Sequence, residues 1–478
     1  MRRIWKAIVP EWADRNLKVV LAARAAMSVG RAIAAVVTAL YLADIGFSAI
    51  EIGVLFVGVT AVSALMSTAI GLLADRLGRK PFLVVVPLLA AGAAVAYAEV
   101  RVTAVLFVAA ALGSFGRGSG AGAGNVGPYQ PAEAAIVADS VRGNRRAAAF
   151  GRIAFAATLG ALVGGLLVSV VSTSAHMTPA QATAAYRPAF LLAAGLAVLA
   201  GLLALLVREP SRRAAPEGAR PRRFQWPRRS WPSLWRFWVT NATNGVGIGL
   251  FGPFVSYWLY RRYGVSPGTI GILFAFVNLG SLAPTLAAAR VARRFGTVRA
   301  IAIVRAVGGV LLVPMVLAPT FWIAGAVYFV RMMVQRVGLP LRQSFTQDMA
   351  HHEERASVAA LSTLPAQATM AGSQAAAGYL FDDVGLAAPF ELAAVFQVAN
   401  AILYVLLFTL RPPRPLEAPV AAHAEHLPPE QADEDAEVAA GVAMAVGDDA
   451  EDPSPTEPQE KPATPSVPSV TGEGDRTG

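Results

Sequence analysis

The sequence predicts an all-α membrane protein of twelve transmembrane helices in two pseudo-symmetric six-helix bundles. Three observations carry that prediction: apolar stretches of membrane length, a one-sided distribution of basic residues between them, and a repeat relating the two halves. The chain has 478 residues, 55% of them hydrophobic, with no cysteine and a mean hydropathy of +0.51. That is too apolar for a soluble protein of this length. Crossing about 30 Å of hydrocarbon takes about 20 helical residues. Stretches of that kind fall at 17–42, 50–73, 81–99, 103–124, 149–171, 188–207, 235–260, 267–288, 298–317, 319–338, 357–380 and 387–410, and we call them spans 1 to 12.

Lysine and arginine collect in short cytoplasmic loops, which fixes the expected orientation. With the N-terminus inside, Arg2, Arg3, Lys6, Arg15 and Lys18 are cytoplasmic. So are Arg76, Arg79, Lys80, Arg142, Arg145, Arg146, Arg290, Arg293, Arg294 and Arg299. The opposite loops carry Asp44, Glu51, Glu99, Asp382, Asp383 and Glu391. Both termini are therefore expected in the cytoplasm, with span 1 retained rather than cleaved as a signal peptide.

Composition divides the chain further. The halves are 1–207 and 234–414, joined by a basic, Pro-rich cytoplasmic linker at 208–233. Residues 415–478 hold 15 acidic and 2 basic side chains and many prolines, the composition of a disordered acidic tail. Taking its net −13 from the formal +10 leaves +23 on the rest. Such charge suits anionic lipid headgroups, so the high pI is no sign of a nucleic-acid partner.

The halves repeat with an offset of 218. "GFSAIEIGVLF" (46–56) falls on "GVSPGTIGILF" (264–274), matching Gly46 to Gly264, Ser48 to Ser266 and Gly53 to Gly271. Further on, Ala74, Arg76 and Gly78 meet Ala292, Arg294 and Gly296. A second correspondence aligns Pro131 with Pro340 and Asp139 with Asp348 at an offset of 209. Nine extra residues therefore lie before Pro131, in the glycine-rich stretch 113–128. Such a run disfavours a continuous helix. It either breaks span 4 or leads a close-packed helix into a loop. A parallel six-helix repeat is a transporter architecture, with the substrate site near the midplane between halves.

In the turn between spans 2 and 3, "GLLADRLGRK" places Gly71, Asp75, Arg76, Gly78, Arg79 and Lys80. These match every defined position of the best-known signature of the major facilitator superfamily, which the chain resembles over residues 1–410. The resemblance implies secondary transport by alternating access. It also implies that Asp75 docks near the start of span 11 when the cytoplasmic side is closed. The basic residues then have Glu133 and Asp139 available as partners. Asp75 beside a helix terminus and two turn-permitting glycines are more than a positive-inside loop requires.

In the resembled family spans 1, 4, 7 and 10 line the central cavity. Here they carry Arg24 and Arg31, Arg117, Asn241 and Asn244, and Arg331, which become the candidate substrate-binding residues. Arg24 and Arg31 are seven residues apart, about 10 Å along one helix face. Charge at that depth normally faces a cavity or a partner. Arg117 stands where the family's span-4 motif has an arginine, although the residues after it depart from that motif. In span 5, "GALVGG" has Ala161 where the family's antiporters often have proline. No buried Asp or Glu stands out on spans 1, 4, 7 or 10, so proton coupling is left open.

Enzyme classes are not supported. There is no phosphate-cradling Gly-Lys-Ser/Thr loop, and the five histidines show no metal-ligand spacing. No cofactor or metal is expected, and the lipid bilayer and a small-molecule substrate are the expected partners of a monomer. The leading expectation is a plasma-membrane exporter of small organic molecules. The alternatives are a permease for an anionic metabolite that uses the intramembrane arginines, and a non-transporting sensor or scaffold.

Overall fold

Helix starts follow from caps written in the sequence. The Asp14 side chain accepts from Leu17 N–H at 2.8 Å, and Ser48 with Glu51 and Thr178 with Gln181 form capping boxes, each satisfying orphan amides of a first turn. The computed structural model describes residues 12–116, 127–141, 145–170, 178–209, 226–281, 284–351 and 354–409. Asp75 and Arg76 lie in a helix, but their side chains fall outside that description. So do Arg117, most of the linker and the whole acidic tail.

Among the described residues the helical segments group into twelve units, numbered here α1 to α12. They are α1 (Arg15–Asp44), α2 (Ala49–Leu77), α3 (Lys80–Glu99), α4 in two pieces (α4a, Thr103–Gly113; α4b, Gln130–Ser140), α5 (Arg146–Leu167) and α6 (Pro179–Leu205). The second half holds α7 (Trp231–Phe251, then Val255–Tyr263), α8 (Pro267–Gly280 and Pro284–Phe295), α9 (Thr297–Val310 and Leu312–Leu317), α10 (Phe321–Asp348), α11 (Arg355–Tyr379) and α12 (Ala388–Phe408). Seven helices are long and apolar enough to cross a membrane by length and composition. The others are interrupted or more polar.

The repeat reappears as backbone geometry. Gly46 and Gly264 take φ of 101° and 64°, and Gly78 and Gly296 take 92° and 77°. These are conformations glycine reaches without a Cβ clash. Ser48 and Ser266, matched in the sequence, are both N-caps. The prolines matched by the repeat do different work. Pro131 sits in the first turn of α4b, where its missing N–H is harmless, whereas Pro340 lies inside α10. Helix α10 thus runs ten residues beyond the expected end at 338.

The two ends of the bundle differ in what they join. We call the end bearing Arg15 and the α2–α3 turn the basic face. At the other end, hydrogen bonds cross between halves. Asp382, after α11, accepts from Ala49 N–H at 3.1 Å and Ile50 N–H at 2.9 Å, capping α2 from the other half. Asp44, closing α1, accepts from Tyr186 and Tyr260 hydroxyls, each at 2.8 Å. Deeper in, Thr60 donates to Gln374 at 3.1 Å.

Backbones meet there too. A Cβ added at Gly53 would lie 2.5 Å from the Gln374 carbonyl oxygen, and one at Gly271 would lie 2.3 Å from the Gly165 oxygen. Spans 2 and 11, and spans 5 and 8, are therefore sealed at this end by glycine. Gly53→Val should pry the seal apart. The expected result is faster labelling of a single engineered cysteine near Thr60 by a membrane-impermeant maleimide, with membrane insertion unchanged.

At the basic face two sets of hydrogen bonds tie elements within a half. Asn16 Nδ2 donates to the Arg208 carbonyl at 2.7 Å, and Arg208 N–H returns to Asn16 Oδ1 at 2.9 Å. Glu354 accepts from Ser230 N–H at 2.7 Å and Arg229 N–H at 3.2 Å, pinning the start of α7. Partial burial pushes the Glu354 carboxyl up, but the hydrogen bonds from Ser230 and Arg229 outweigh it and hold its pKa below the ordinary glutamate value. A carboxyl depressed on folding stabilises above its unfolded pKa, and that contribution is lost as pH falls through the folded value. At the Asp44 end the halves are closed on each other by side-chain caps and glycine contacts.

Candidate functional site in the broken fourth span

The glycine-rich stretch does break span 4. Helix α4a stops at Gly113, where Ser114 adopts the left-handed conformation at φ 49°. Gly116 and Gly127 take φ of 75° and 94°, and the helix resumes at Gln130. Non-helical backbone at membrane depth survives only where protein or water satisfies it. Arg31 does so here. Its Nη2 donates to the Ser114 carbonyl at 3.0 Å. A Cβ on Gly127 would lie 2.5 Å from Arg31 Nη1, so glycine is what lets the chain pass the guanidinium. A narrow recess lined by Met27, Gly30, Arg31, Ser114 and Phe115 adjoins the break.

Two turns along α1, Arg24 Nη1 meets Glu133 Oε2 on α4b at 2.5 Å. Both side chains are 5% exposed, and the Tyr129 hydroxyl lies beside Arg24. A second recess reaches this pair, lined by Val20, Arg24, Pro87, Tyr129 and Glu133. Arg24 and Arg31 thus share one face of α1, as their spacing predicts, and both look onto span 4.

Glu133 corrects one expectation. The sequence shows no buried carboxylate on spans 1, 4, 7 or 10 because the apolar run of span 4 ends near 124, which puts Glu133 in a loop. The break lets the helix resume, and Glu133 lies 4% exposed within it. Among the described side chains of the signature turn, Arg79 donates to Asp139, while Glu133 pairs with Arg24.

The turn itself is held by a residue the sequence did not single out. Glu209, just beyond α6, accepts from Lys80 N–H at 3.1 Å and from Arg79 N–H, with its carboxylate against Gly78. The available signal was an acid at the opening of a predominantly basic linker. Gly71 is exposed on α2 with nothing near its Cα face. The docking of Asp75 lies outside the described side chains.

The second half treats its candidates differently. Asn241 Nδ2 donates to the Ser362 carbonyl at 2.8 Å, joining α7 to α11. Asn244 is 5% exposed, and its Oδ1 has no hydrogen-bond partner. Arg331 is fully buried, with Nε on the Gly308 carbonyl at 2.9 Å and its guanidinium 4.1 Å from the centre of the Phe251 ring. These residues do not meet Arg24 and Arg31 in one cluster.

Two repeated halves, a broken span facing buried charge and a seam between the halves closed at one end are the arrangement of a membrane transporter. The chain belongs to the Major Facilitator Superfamily, whose profile matches residues 20–242 and again 237–446. No curated protein matches the chain. Among solved structures it is similar to a variant of the nucleoside transporter NupG, at 13% identity and a TM-score of 0.63, covering 83% of this chain and 100% of that one. It is also similar to a bacterial homolog of the human lysosomal transporter Spinster in an inward-facing, occupied conformation. That likeness is 16% identical with a TM-score of 0.60, over 82% of this chain and 96% of the other. A bacterial metal transporter aligns at 14% identity and a TM-score of 0.59, over 83% and 99%. At such identities the likeness establishes the fold, and the cargo of each neighbour remains its own.

Proposed function

We propose that the protein exports a small organic molecule across the plasma membrane in exchange for protons, with Glu133 as the proton carrier. The observation that carries this reading is the buried Arg24–Glu133 pair between spans 1 and 4. Burial makes the pair a two-state element, because protonating Glu133 leaves Arg24 charged and seeking another partner. The positive-inside bias puts the basic face in the cytoplasm together with both termini. The state closed at the Asp44 end is then the one that loads cargo from inside. In it Glu133 is paired with Arg24, the arrangement expected after its proton has been released inward. The protein works as a monomer on this reading, and Asp75 braces the cytoplasmic side when that side closes.

The test is a proteoliposome with an imposed pH gradient, a trapped pH dye, and uridine, succinate and ethidium as neutral, anionic and cationic probes. Proton movement that depends on one probe and vanishes in Glu133→Gln is the expected result. Probe movement without proton movement would contradict the coupling. A folded sample that moves none of them favours the sensor or scaffold alternative.

The anionic-metabolite alternative draws on Arg31, whose planar fork suits a carboxylate or phosphate. Arg31→Lys keeps the charge but loses the fork and the geometry at Ser114. It should weaken succinate movement about tenfold, the effect of losing roughly 1.4 kcal/mol of charge-assisted hydrogen bonding, while uridine movement is unchanged.

A further inference from the structure

The second half buries positive charge with no carboxylate to meet it. Arg331 on α10 is fully buried, and Arg305 on α9 is 7% exposed. The electrostatic neighbours of Arg305 are the cations Arg342 and Arg331 and the hydroxyl of Tyr404, and none is a carboxylate. Among the described residues no ion pair reaches either arginine. The described acids of this half, Asp348, Glu354, Asp382, Asp383 and Glu391, stand at or near helix ends.

Two buried donors beside these arginines lack an acceptor. Arg331 spends Nε on the Gly308 carbonyl, while its Nη2 has no hydrogen-bond partner. Arg305 lies three residues before Gly308, on the same face of α9. One turn from Arg331, Gln335 donates to Gln397 Oε1 at 3.0 Å, which leaves the Gln397 Nε2 unpartnered although Gln397 is fully buried. Gly308 makes the convergence possible, since a Cβ there would lie 3.1 Å from Gln335 Nε2. The Arg331 guanidinium and the unpaired Gln397 amide thus meet at Gly308 between α9, α10 and α12, with Arg305 one turn away on the same face of α9. Unpaired buried charge is strongly unfavourable in a membrane protein, and a guanidinium fork fits planar oxyanions.

We propose that this cluster is a binding site for a small oxyanion or carboxylate group, held by Arg305, Arg331 and Gln397. The group is either a resident free ion or the acid end of a cargo molecule. The site lies in the half opposite Glu133 and does not rest on the export reading, because binding can be measured where transport fails.

The test uses the full chain purified in neutral detergent, with formate and phosphate as probes and thermal unfolding as the readout. A ligand that binds only the folded state raises apparent stability. Wild type should gain about 2–4 °C, saturably, with one of these anions. Arg305→Gln should lose that gain, and the exposed control Arg101→Gln should keep it. Without added anion Arg305→Gln should melt no lower than wild type, because it removes one of two buried like charges. A merely structural arginine would lower it. If Arg331→Gln fails to fold, Arg305→Gln alone decides. In liposomes, uptake of labelled formate or phosphate identifies the group as cargo and binding without uptake identifies a resident ion; either outcome supports the site. No saturable gain in wild type, or an equal gain in Arg305→Gln, overturns it.

Discussion

Glu133→Gln should lose about 3–5 kcal/mol of stability, because removing one partner of a buried ion pair leaves the other charge without compensation. Arg24 and Glu133 are each 5% exposed at the side chain, so water cannot take over. Arg24→Gln should lose a similar amount. The double variant should recover most of it, since two neutral amides of fitting size can bond to each other. Equilibrium unfolding of the four proteins in a double-mutant cycle measures the coupling. Transport gives the second readout. If Glu133 carries the proton, the double variant is stable yet uncoupled, whereas a purely structural pair would return coupling along with stability. Single variants as stable as wild type would show that the pair is not buried in the working protein.

Asp382→Asn should shift the protein about tenfold or more toward states open at the Asp44 end. Asp382 accepts two backbone N–H groups from the start of α2 in the other half, and a hydrogen bond to a charged group is worth about 1.5–3 kcal/mol. The helix N-terminus adds a favourable dipole contribution to a carboxylate placed there. Asparagine keeps the size but removes the charge and one acceptor. The native chain has no cysteine, so a lone Thr60→Cys reports cleanly. Thr60 is buried beside Gln374 at the seam, and its labelling by an impermeant maleimide should rise in proportion to the open population. Unchanged labelling would mean that Gly53, Gly165 and Gly271 hold the seal without help from Asp382.

These features differ in how far the sequence reveals them. Gly46 with Gly264, Ser48 with Ser266 and Gly78 with Gly296 could be paired by register alone, because each acts on its own few residues of backbone. The signature turn was legible for the same reason. Glu133 was not, because hydropathy treats span 4 as one run and has no means of showing that a helix resumes after Gly127. Asp382 and Tyr260 act on partners 333 and 216 residues away, which periodicity within one helix does not record. Arg24 and Arg31 show the boundary between the two cases. Their common face followed from spacing, while their partners Glu133 and Ser114 emerged only when the broken span was placed against α1.

The most direct test of alternating access is a pair of distance measurements by double electron–electron resonance on the reconstituted full chain. Spin labels at Ile50 and Val384 report the Asp44 end, and labels at Leu77 and Leu364 report the basic face; all four positions are exposed. The account predicts a short distance for the first pair and a long one for the second at rest. A pH gradient, or Asp382→Asn, should then populate the reverse. One fixed distance for each pair under every condition would contradict it.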